Sequence, residues 1–321
     1  MTLFLDEKCV AGLLGMDDAL DAVEEVFAEA GRGNVTNVPR VRAPLGEGTL
    51  RITAAVLNTM GYYGVKVSST TIFESSAGRV FSLYAAETGA LVAMVQVFAM
   101  GALRTGAASA VATKYMARAG AHRLAVIGTG RQARTQAEAI CKIRPITEIR
   151  AFSRSNENRE RFCRDLAPLA ADVRGVESAE EAVHEADIVV TATTATEPVL
   201  LGKWLAPGTH VNAIGANFEH RRELDLDVVA LAAVIVTDDL EQVKYEATDL
   251  AAPVARGIIG WDQVIALGDV VAGNRPGRTS DTDITLFKSL GVALEDVALA
   301  ARAYEKAVEK GLGVRLPDLS G

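Results

Sequence analysis

The sequence predicts an α/β protein with two domains, one built on a doubly wound parallel sheet and the other of mixed α+β structure. Between residues 119 and 283, short apolar runs typical of buried strands alternate with helical patterns. Before this region several β-like runs follow one another without helices between them, and after it comes one long helical pattern. We therefore expect one domain at residues 119–283 and a discontinuous second domain made of residues 1–118 and 284–321.

The composition restricts the class of partner. The 321 residues are enough for two domains, and 49% hydrophobic with 23% charged residues is ordinary for a globular protein. A net charge of −8 argues against binding to nucleic acid or to an anionic membrane surface. The apolar runs are too short to span a bilayer, and the start MTLFLDEKCV does not resemble a signal peptide. We expect a cytoplasmic protein with neither a nucleic-acid nor a membrane partner.

The cysteines and histidines do not indicate a metal site. Three cysteines form an odd number without metal-ligand spacing, which is typical of reduced cytosolic thiols. The four histidines show no metal-binding pattern either. These residues are Cys9, Cys141, Cys163, His122, His184, His210 and His220.

The N-terminal region predicts a helix followed by a sheet. Apolar residues spaced by three or four positions predict a helix over residues 17–30. Five β-like runs separated by turns, one of them at 75–78, then predict a mainly antiparallel sheet. The runs lie at 38–43, 50–56, 64–69, 80–85 and 91–97. A helix predicted from Leu103 to Met116 opens with small and polar residues, Leu103-Arg104-Thr105-Gly106, so its N-terminus offers a candidate anion-binding end.

The strongest local motif is a glycine turn between a strand and a helix. The buried run Leu124–Ile127 breaks at Gly128-Thr129-Gly130, and a helix opens at Arg131. In this G-x-G-x-x-A pattern the first glycine permits a tight turn, the second lets the backbone approach a pyrophosphate, and Ala133 lets the helix pack closely. The positive end of the helix then faces the phosphates. The motif predicts a Rossmann dinucleotide-binding domain.

The remaining elements complete the doubly wound sheet. Strands are predicted at 148–152, 173–176, 188–192, 210–214 and 234–237, with helices at 156–166 and after Ser178. After a turn at 274–283, one continuous apolar face predicts a last helix that ends at Gly311 and Pro317 and packs on the N-terminal sheet. That face consists of Ile284, Phe287, Leu290, Leu294, Val297, Ala301 and Tyr304.

The end of the second strand bears on the choice of nucleotide. An acid that binds a ribose 2′-hydroxyl is expected there, but this chain has Ser153, Arg154 and Ser155. Arg154 with two hydroxyls suits a 2′-phosphate, unless Arg154 is simply a solvated turn residue. NADP(H) is therefore favoured over NAD(H), which stays possible.

Several segments, in the same order over nearly the whole chain, resemble the ornithine cyclodeaminase/mu-crystallin family. Its members include ornithine cyclodeaminase, archaeal-type alanine dehydrogenase and ketimine reductases. The segments are Gly64-Val-Lys66-Val, Leu103-Arg-Thr-Gly-Ala-Ala108, Ile127-Gly-Thr-Gly-Arg-Gln-Ala133, Val211-Asn-Ala-Ile-Gly-Ala-Asn217, Arg222-Glu-Leu-Asp225, Pro276-Gly-Arg-Thr-Ser280 and Phe287-Lys-Ser-Leu-Gly291.

The resemblance implies roles for individual residues. Lys66 matches an active-site lysine, and Arg40 matches an arginine that holds the substrate carboxylate, although Arg42 fits that register too. Arg104 matches an arginine that bridges cofactor and substrate. Arg131 and Gln132 lie on the pyrophosphate turn, Ser153 and Arg154 at the adenosine ribose, Thr193 and Ile214 on the nicotinamide side, and Ser289 and Leu290 close the pocket from the last helix.

The chain departs from ornithine cyclodeaminase at two positions. That enzyme has an aspartate where this chain has Asn217, and an amide cannot act as a general base. Its lysine near the cofactor corresponds to Arg221. These differences favour the reductase and dehydrogenase side of the family. Asn217 either hydrogen-bonds the substrate amine or braces its loop.

The residues themselves suit reduction of a C=N bond beside a carboxylate. Such a reaction needs a hydride donor, a cation for the carboxylate and a proton for the nitrogen. Arg40 or Arg42 suits the second role, and Lys66, in an apolar strand, suits the third if burial lowers its pKa.

We therefore expect an NAD(P)H-dependent reductase of small α-imino acids. The substrate is either a cyclic ketimine such as pyrroline- or piperideine-2-carboxylate, or the open-chain imine of alanine dehydrogenase-like chemistry. The alternatives are an ornithine cyclodeaminase and a non-catalytic NADP(H)-binding protein.

The second domain is expected to form a dimer interface as well as bind substrate. A sheet of about five strands buries itself poorly, so its edge or open face is expected to pair with a second subunit as a homodimer. Three aromatic residues, Tyr62, Tyr63 and Phe73, belong either to the pocket or to the core, and the core is favoured for the tyrosines.

Overall fold

The computed structural model describes residues 2–70, 79–218 and 220–317, so Phe73 and the turn at 75–78 lie outside the described residues. The chain forms two compact units. The first comprises Met1–Arg104 with Gly291–Gly321, and the second comprises Thr105–Leu290. The sequence placed the corresponding boundaries at 118/119 and 283/284.

The first unit is built on a seven-stranded sheet. Its strands are β1 (Leu3–Leu5), β2 (Val35–Leu45), β3 (Gly48–Leu57), β4 (Tyr62–Ser69), β5 (Val80–Ala85), β6 (Leu91–Gln96) and, from the end of the chain, β15 (Val314–Arg315), in the spatial order β15-β1-β6-β5-β4-β3-β2. The five predicted strands are present, joined by antiparallel pairing. The short β1 and β15 were not predicted, and β1 pairs parallel to β6.

One face of this sheet is covered by helices. Side chains alternate along β3, where Thr53, Ala55 and Leu57 are buried and the residues between them are half-buried. Helix α11 (Ala293–Lys310) packs on β3 and β4, and helix α2 (Met16–Gly31) packs on α11. The predicted helix over 17–30 is therefore confirmed, and a short α1 (Glu7–Leu13) precedes it.

The last helix begins later than the sequence indicated. Ile284–Lys288 is strand β14 of the second unit, and α11 starts only at Ala293. A strand that is buried on both faces is continuously apolar, so its pattern resembles that of a buried helix. Gly291, with φ of 71°, breaks the chain between the two elements. Gly311, with φ of 65°, caps α11 where the sequence placed its end.

Helix α3 begins earlier than the sequence indicated. It covers Phe98–Met116, so Leu103–Gly106 lies inside the helix and the predicted anion-binding N-terminus at that point is wrong. The true start is capped by Glu7 of α1, whose carboxylate accepts hydrogen bonds from the backbone N–H groups of Phe98 (2.5 Å) and Ala99 (3.0 Å). Because the capping residue Glu7 lies about 90 residues earlier in the chain, no local sequence pattern marks this start of the helix.

The second unit is a doubly wound parallel sheet, as predicted. Its spatial order is β13-β12-β14-β11-β10-β7-β8-β9. The strands not yet given are β7 (Arg123–Ile127), β8 (Glu148–Phe152), β9 (Asp172–Gly175), β10 (Ile188–Thr191), β11 (His210–Ala213), β12 (Ala232–Thr237) and β13 (Val264–Ala266). The helices are α4 (Arg131–Ile143), α5 (Asn156–Leu166), α6 (Ala179–Val183), α7 (Leu226–Leu231), α8 (Gln242–Glu246), α9 (Thr248–Ala255) and α10 (Leu267–Val271).

The order of these strands fixes where a ligand binds. Alternate residues of the central strands enter two separate apolar clusters, one on each face of the sheet. Chain order reverses between β7 and β10, and in open parallel sheets ligands bind at the carboxyl ends of the strands at such a reversal. Gly128 follows β7 there, and Thr193 follows β10 shortly after its end. Within the described part of the chain, no helix is long and apolar enough to cross a membrane.

Candidate active site

Lys66 forms a buried ion pair in the first unit. It lies on β4 between Thr53 of β3 and Phe81 of β5, both of which are buried on the face that α11 covers. Its Nζ donates to Oδ2 of Asp296 on α11. The Lys66 side chain is 16% exposed and that of Asp296 only 2%. The lysine is thus an inward-facing residue of the sheet.

Asp296 is shared by a second cation. Arg104 donates from Nε to Oδ1 of Asp296 at 3.1 Å and from Nη1 to Oε2 of Glu295 at 2.8 Å. Each oxygen of Asp296 therefore holds one cation. Both acids are buried, so removing either cation would leave buried negative charge less well compensated, which is destabilising.

The cluster shifts the pKa values of both Lys66 and Asp296. Burial lowers the pKa of Lys66, the attraction of Asp296 opposes this, and the charges of Arg104 and Arg40 lower it further, with a net decrease. Burial raises the pKa of Asp296, but Lys66 and Arg104 outweigh it and leave that pKa below its usual value. Asp296 therefore loses its proton more readily than an ordinary aspartate, and Lys66 releases its proton more readily than an ordinary lysine.

Arg40 belongs to the same charge cluster. Its Nη2 donates to the carbonyl of Gly291 at 2.5 Å. Gly291 adopts a positive φ, which favours glycine, and a Cβ there would also displace the guanidinium of Arg104. Arg42 lies opposite Arg51 on the neighbouring strand. Of the two candidates for the carboxylate, Arg40 is the one whose charge acts on Lys66 and Asp296.

The glycine turn of the second unit fits a dinucleotide. Gly128 has φ of 102°, and a Cβ on it would collide with the carbonyl of Ala192, so the turn closes tightly on the end of β10. A Cβ on Gly130 would have no described atom within 4 Å, which leaves open space at the N-terminus of α4. Gly130 provides no side-chain cap for that helix, and Ala133 is buried against the sheet. These are the features that a bound pyrophosphate requires.

The residues flanking the turn lie where the sequence placed them. Arg131 is exposed and Gln132 half-buried at the start of α4. Thr129 donates from Oγ1 to Oγ of Ser153 at 2.9 Å, which ties the turn to the end of β8.

The end of β8 carries hydroxyls and one exposed cation. Oγ of Ser155 caps α5 by accepting from the N–H of Asn158 at 3.3 Å, and Arg154 beside it is exposed. Arg159 is buried behind them, where Nη2 pairs with Glu177 at 2.7 Å. Residues 153–155 thus present no carboxylate at the end of β8.

The loops after β10 and β11 contain the other candidates. Thr193 is bound to the buried Glu223, and Ile214 is buried directly after β11. The N–H of Asn217 donates to Gly215, and the guanidinium of Arg221 lies 4.9 Å from the ring centre of Phe218.

Three further candidates lie elsewhere than expected. Ser289 and Leu290 do not belong to the last helix. They follow β14, where the N–H of Leu290 donates to Asp238 at 2.6 Å. Thr105 is buried within α3, and its carbonyl accepts from Gln136 at 3.0 Å.

Sequence reasoning missed the acids that organise the first unit. The apolar spacing predicts a helix that includes Glu295 and Asp296 but gives these two residues no role. They form an acid pair within the otherwise apolar stretch 292–301, and both are buried. Charged residues within such an apolar stretch are buried only when they are paired with an opposite charge. The acid pair in the sequence therefore indicated a buried ion pair. In the ranges 2–70, 79–218 and 220–317 no group of three or more His, Cys, Asp or Glu side chains is placed to hold a metal ion.

The parallel sheet of the second unit, with a glycine turn at the reversal of strand order, defines a Rossmann dinucleotide-binding protein, and the first unit carries a buried lysine. The chain belongs to the ornithine cyclodeaminase/mu-crystallin family, whose model matches residues 1–311. The alanine dehydrogenase of Archaeoglobus fulgidus is 36% identical over 324 aligned residues, which cover 98% of each chain.

Two solved structures share the complete fold. The Thermococcus litoralis Δ1-pyrroline-2-carboxylate reductase, in complex with NADH and L-proline, matches with a TM-score of 0.91 and 34% identity, covering 98% of this chain and 100% of that one. An archaeal alanine dehydrogenase dimer with bound NAD matches with a TM-score of 0.91 and 35% identity, covering 98% and 99%.

The two glycines of the turn provide a matched test of the nucleotide site. Gly130→Ala should leave stability nearly unchanged, because its backbone is compatible with alanine and the space is open, but should weaken NADPH binding about tenfold or more by obstructing the phosphates. Gly128→Ala should lower the melting temperature as well, because its φ and the Ala192 carbonyl exclude a Cβ. Calorimetric titration and thermal unfolding of both variants check this. Undiminished NADPH affinity in Gly130→Ala would contradict the assignment of the turn.

Proposed function

We propose that the protein is an NAD(P)H-dependent reductase that converts the C=N bond of a small α-imino acid to an amine. The observation that carries this proposal is the buried Lys66–Asp296 pair with Arg40 beside it. This group provides a proton donor and a cation for the substrate carboxylate in the first unit, while the second unit contains the glycine turn for a nucleotide. Relatives named as alanine dehydrogenase and pyrroline-2-carboxylate reductase are oxidoreductases of this chemical class.

In the proposed mechanism the residues of the first unit bind and protonate the substrate. The guanidinium of Arg40 binds the substrate carboxylate, which places the adjacent imine towards Lys66. A bound reduced nicotinamide supplies the hydride that the imine carbon receives. Lys66 gives its proton to the nitrogen, and its lowered pKa makes that transfer easier than for an ordinary lysine. Asp296 keeps Lys66 oriented and protonated before the transfer.

We propose NADP(H) as the preferred coenzyme, with NAD(H) as the alternative. Arg154 and the hydroxyls of Ser153 and Ser155 suit a 2′-phosphate, and no carboxylate among these three residues repels one. The two structures described above hold NADH and NAD, so both coenzymes must be assayed.

Either a cyclic ketimine or the imine formed from an α-keto acid and ammonia fits this chemistry. The direct test mixes the protein with NADPH or NADH and a panel of such substrates while nicotinamide absorbance is followed. Loss of absorbance supports the proposal. Ammonia release from ornithine without net oxidation would instead identify cyclodeamination, which Asn217 disfavours because an amide is no base. Binding without turnover would identify a nucleotide-binding protein.

We propose that a second copy of the chain covers the open face of the first unit's sheet. This face carries apolar side chains that are about half exposed, among them Val41 (53%) and Val67 (51%). The register aligns both with Ile52 in one row, and the stacked rings of Tyr63 and Tyr84, 4.9 Å apart, lie on the same face. An apolar sheet face of this kind is typical of a subunit interface.

Replacing Lys66 tests the proton donor. Lys66→Ala should reduce imine reduction by about a hundredfold or more, because the proton source is lost, with unchanged affinity for NADPH. The control is Lys306→Ala, which removes the more exposed pair between Lys306 on α11 and Asp18 on α2, and thermal unfolding of both variants separates loss of folding from loss of the proton donor. Near-normal turnover of Lys66→Ala would show that the proton comes from elsewhere.

The same assignment predicts a pH dependence. The protonated lysine is the active form, so kcat should fall as pH rises through the lowered pKa of Lys66. Asp296→Asn should move this alkaline limb to lower pH, because the attraction of Asp296 raises the Lys66 pKa while Arg104 and Arg40 lower it. An alkaline limb that does not move would rule out Lys66 as the titrating group.

Replacing Arg154 tests the coenzyme preference. Arg154→Ala should weaken NADPH binding about 10- to 100-fold, because a charge-assisted contact with the 2′-phosphate is lost, and should leave NADH binding unchanged. Arg164→Ala, an exposed arginine on α5, is the control. Dissociation constants from fluorescence titration check this, and a wild-type preference for NADH would refute it.

A charge on the open sheet face tests the dimer. Val67→Lys should convert a dimer into monomers, because a buried unpaired ammonium opposes association. Leu231→Lys, at an equally exposed apolar position on α7, should leave the dimer intact. Sedimentation velocity distinguishes the two. A wild-type protein that is monomeric at micromolar concentration would exclude this interface.

A further inference from the structure

Three charged side chains buried in the second unit take no part in the mechanism above. Glu223 and Lys288 are 0% exposed, and Asp249 is 1% exposed. Burying a charge is unfavourable unless partners surround it, so a group of three needs a reason beyond packing. Glu223 lies in the segment Arg222-Glu-Leu-Asp225, to which no role has yet been given.

Glu223 forms hydrogen bonds to both loops that follow the neighbouring strands β10 and β11, and so connects them. Its Oε1 accepts from the N–H of Thr193 at 2.6 Å and from the Thr193 hydroxyl at 2.7 Å. Its Oε2 accepts from the N–H of Gly215 at 2.7 Å and from the hydroxyl of Thr191 at 2.9 Å. A Cβ on Gly215 would collide with both Thr193 and Glu223, so the two loops approach as closely as glycine allows.

A second acid and a lysine hold Glu223 in place. The N–H groups of Glu223 and Leu224 donate to Oδ1 of Asp249 on α9, at 2.9 and 3.0 Å. Oδ2 of Asp249 lies 3.4 Å from Nζ of Lys288 on β14, and this Nζ donates to the carbonyl of Ala213 at 3.2 Å. The network therefore starts and ends at the carboxyl end of β11. Asp249 fixes the backbone that carries the Glu223 side chain.

The loop that follows β10, which Glu223 connects to the loop after β11, borders the glycine turn. A Cβ on Gly128 would meet the carbonyl of Ala192 and the methyl of Thr193, so Thr193 is in contact distance of the turn at the strand-order reversal. Ile214 precedes Gly215 directly. Thr193 and Ile214 are the two residues proposed for the nicotinamide end of the coenzyme.

From this geometry we infer that Glu223 is a positioning residue for the nicotinamide half of the coenzyme. It acts through Thr193 and Gly215 rather than by touching the coenzyme. The inference rests on the proposed function, because it presumes a nicotinamide nucleotide in the second unit.

The hydrogen bonds explain why a carboxylate is needed. Each oxygen of Glu223 accepts one backbone N–H, from Thr193 on one side and Gly215 on the other. Threonine hydroxyls can rotate, but a backbone N–H is always a donor. In Glu223→Gln, whichever way the amide is turned, its NH₂ group faces one of these N–H groups. The variant keeps the size of the side chain and must displace one loop.

The test compares a complete coenzyme with a fragment. Dissociation constants of wild type and Glu223→Gln are measured by calorimetry for NADPH and for 2′-phospho-ADP-ribose, which lacks nicotinamide. We expect NADPH to bind about tenfold more weakly to the variant, while the fragment binds equally to both proteins. At saturating NADPH the fluorescence of the bound dihydronicotinamide should also shift towards that of free coenzyme. Glu180→Gln, an exposed glutamate on α6, should change none of these values.

Thr191→Val gives an independent measurement if Glu223→Gln folds poorly, because it removes one hydroxyl donor to Glu223, keeps the side-chain shape and lies within β10 rather than among the residues proposed for the coenzyme. It should show the same selective loss for NADPH. An equal loss for NADPH and the fragment, or no loss for either, would overturn the inference. If the wild-type protein binds NADH in place of NADPH, the same comparison uses NADH and ADP-ribose. Failure of the wild-type protein to bind either coenzyme would instead contradict the proposed function, so the two failures are distinguishable.

Discussion

The first unit depends on one buried carboxylate, that of Asp296. Lys66 and Arg104 come from a strand and a helix far apart in the chain, and they meet only because each binds one oxygen of this group. Asp296 itself lies on α11, which follows the whole second unit in the chain. The first unit is therefore completed only by the last helix, which packs on the sheet and supplies the acid that pairs with the sheet's lysine. A buried ion pair adds little net stability compared with apolar packing, so its presence is better explained by a role for the lysine.

The two units contain buried acids with opposite behaviour. Burial raises the pKa of a carboxyl group in both cases. At Asp296 two adjacent cations reverse this effect and the pKa falls. At Glu223 the partners are mainly neutral donors, the charge of Lys288 lowers the pKa only in part, and Asp249 adds repulsion, so the pKa stays raised. The first arrangement adjusts the acidity of Lys66, and the second fixes the geometry of two loops.

This division of tasks suits a reaction with two reactants. A hydride transfer requires a rigid coenzyme site, and the tight approach of Gly128 and Gly215 to the end of β10 provides rigidity through backbone contacts. A proton transfer requires a group with an adjusted pKa, which the charge cluster of Lys66, Asp296, Arg104 and Arg40 provides. At position 217 the side chain is an amide, which cannot act as a general base.

The sequence by itself determined the parts that depend on local patterns. The turn at Gly128–Gly130, with its strand and helix, follows from steric and hydrogen-bonding rules within a dozen residues, and α2 follows from its apolar spacing. Lys66 and Arg40 were predicted as site residues from the family resemblance, and their roles stay predictions. Only the tertiary structure decided that Ile284–Lys288 is a central strand, since a buried strand and a buried helix share the same apolar pattern. It also decided that α3 starts at Phe98, under a cap from Glu7, and that Asp296 pairs with Lys66. In each of these cases the deciding partner lies more than 50 residues away in the chain, and only folding brings it into contact.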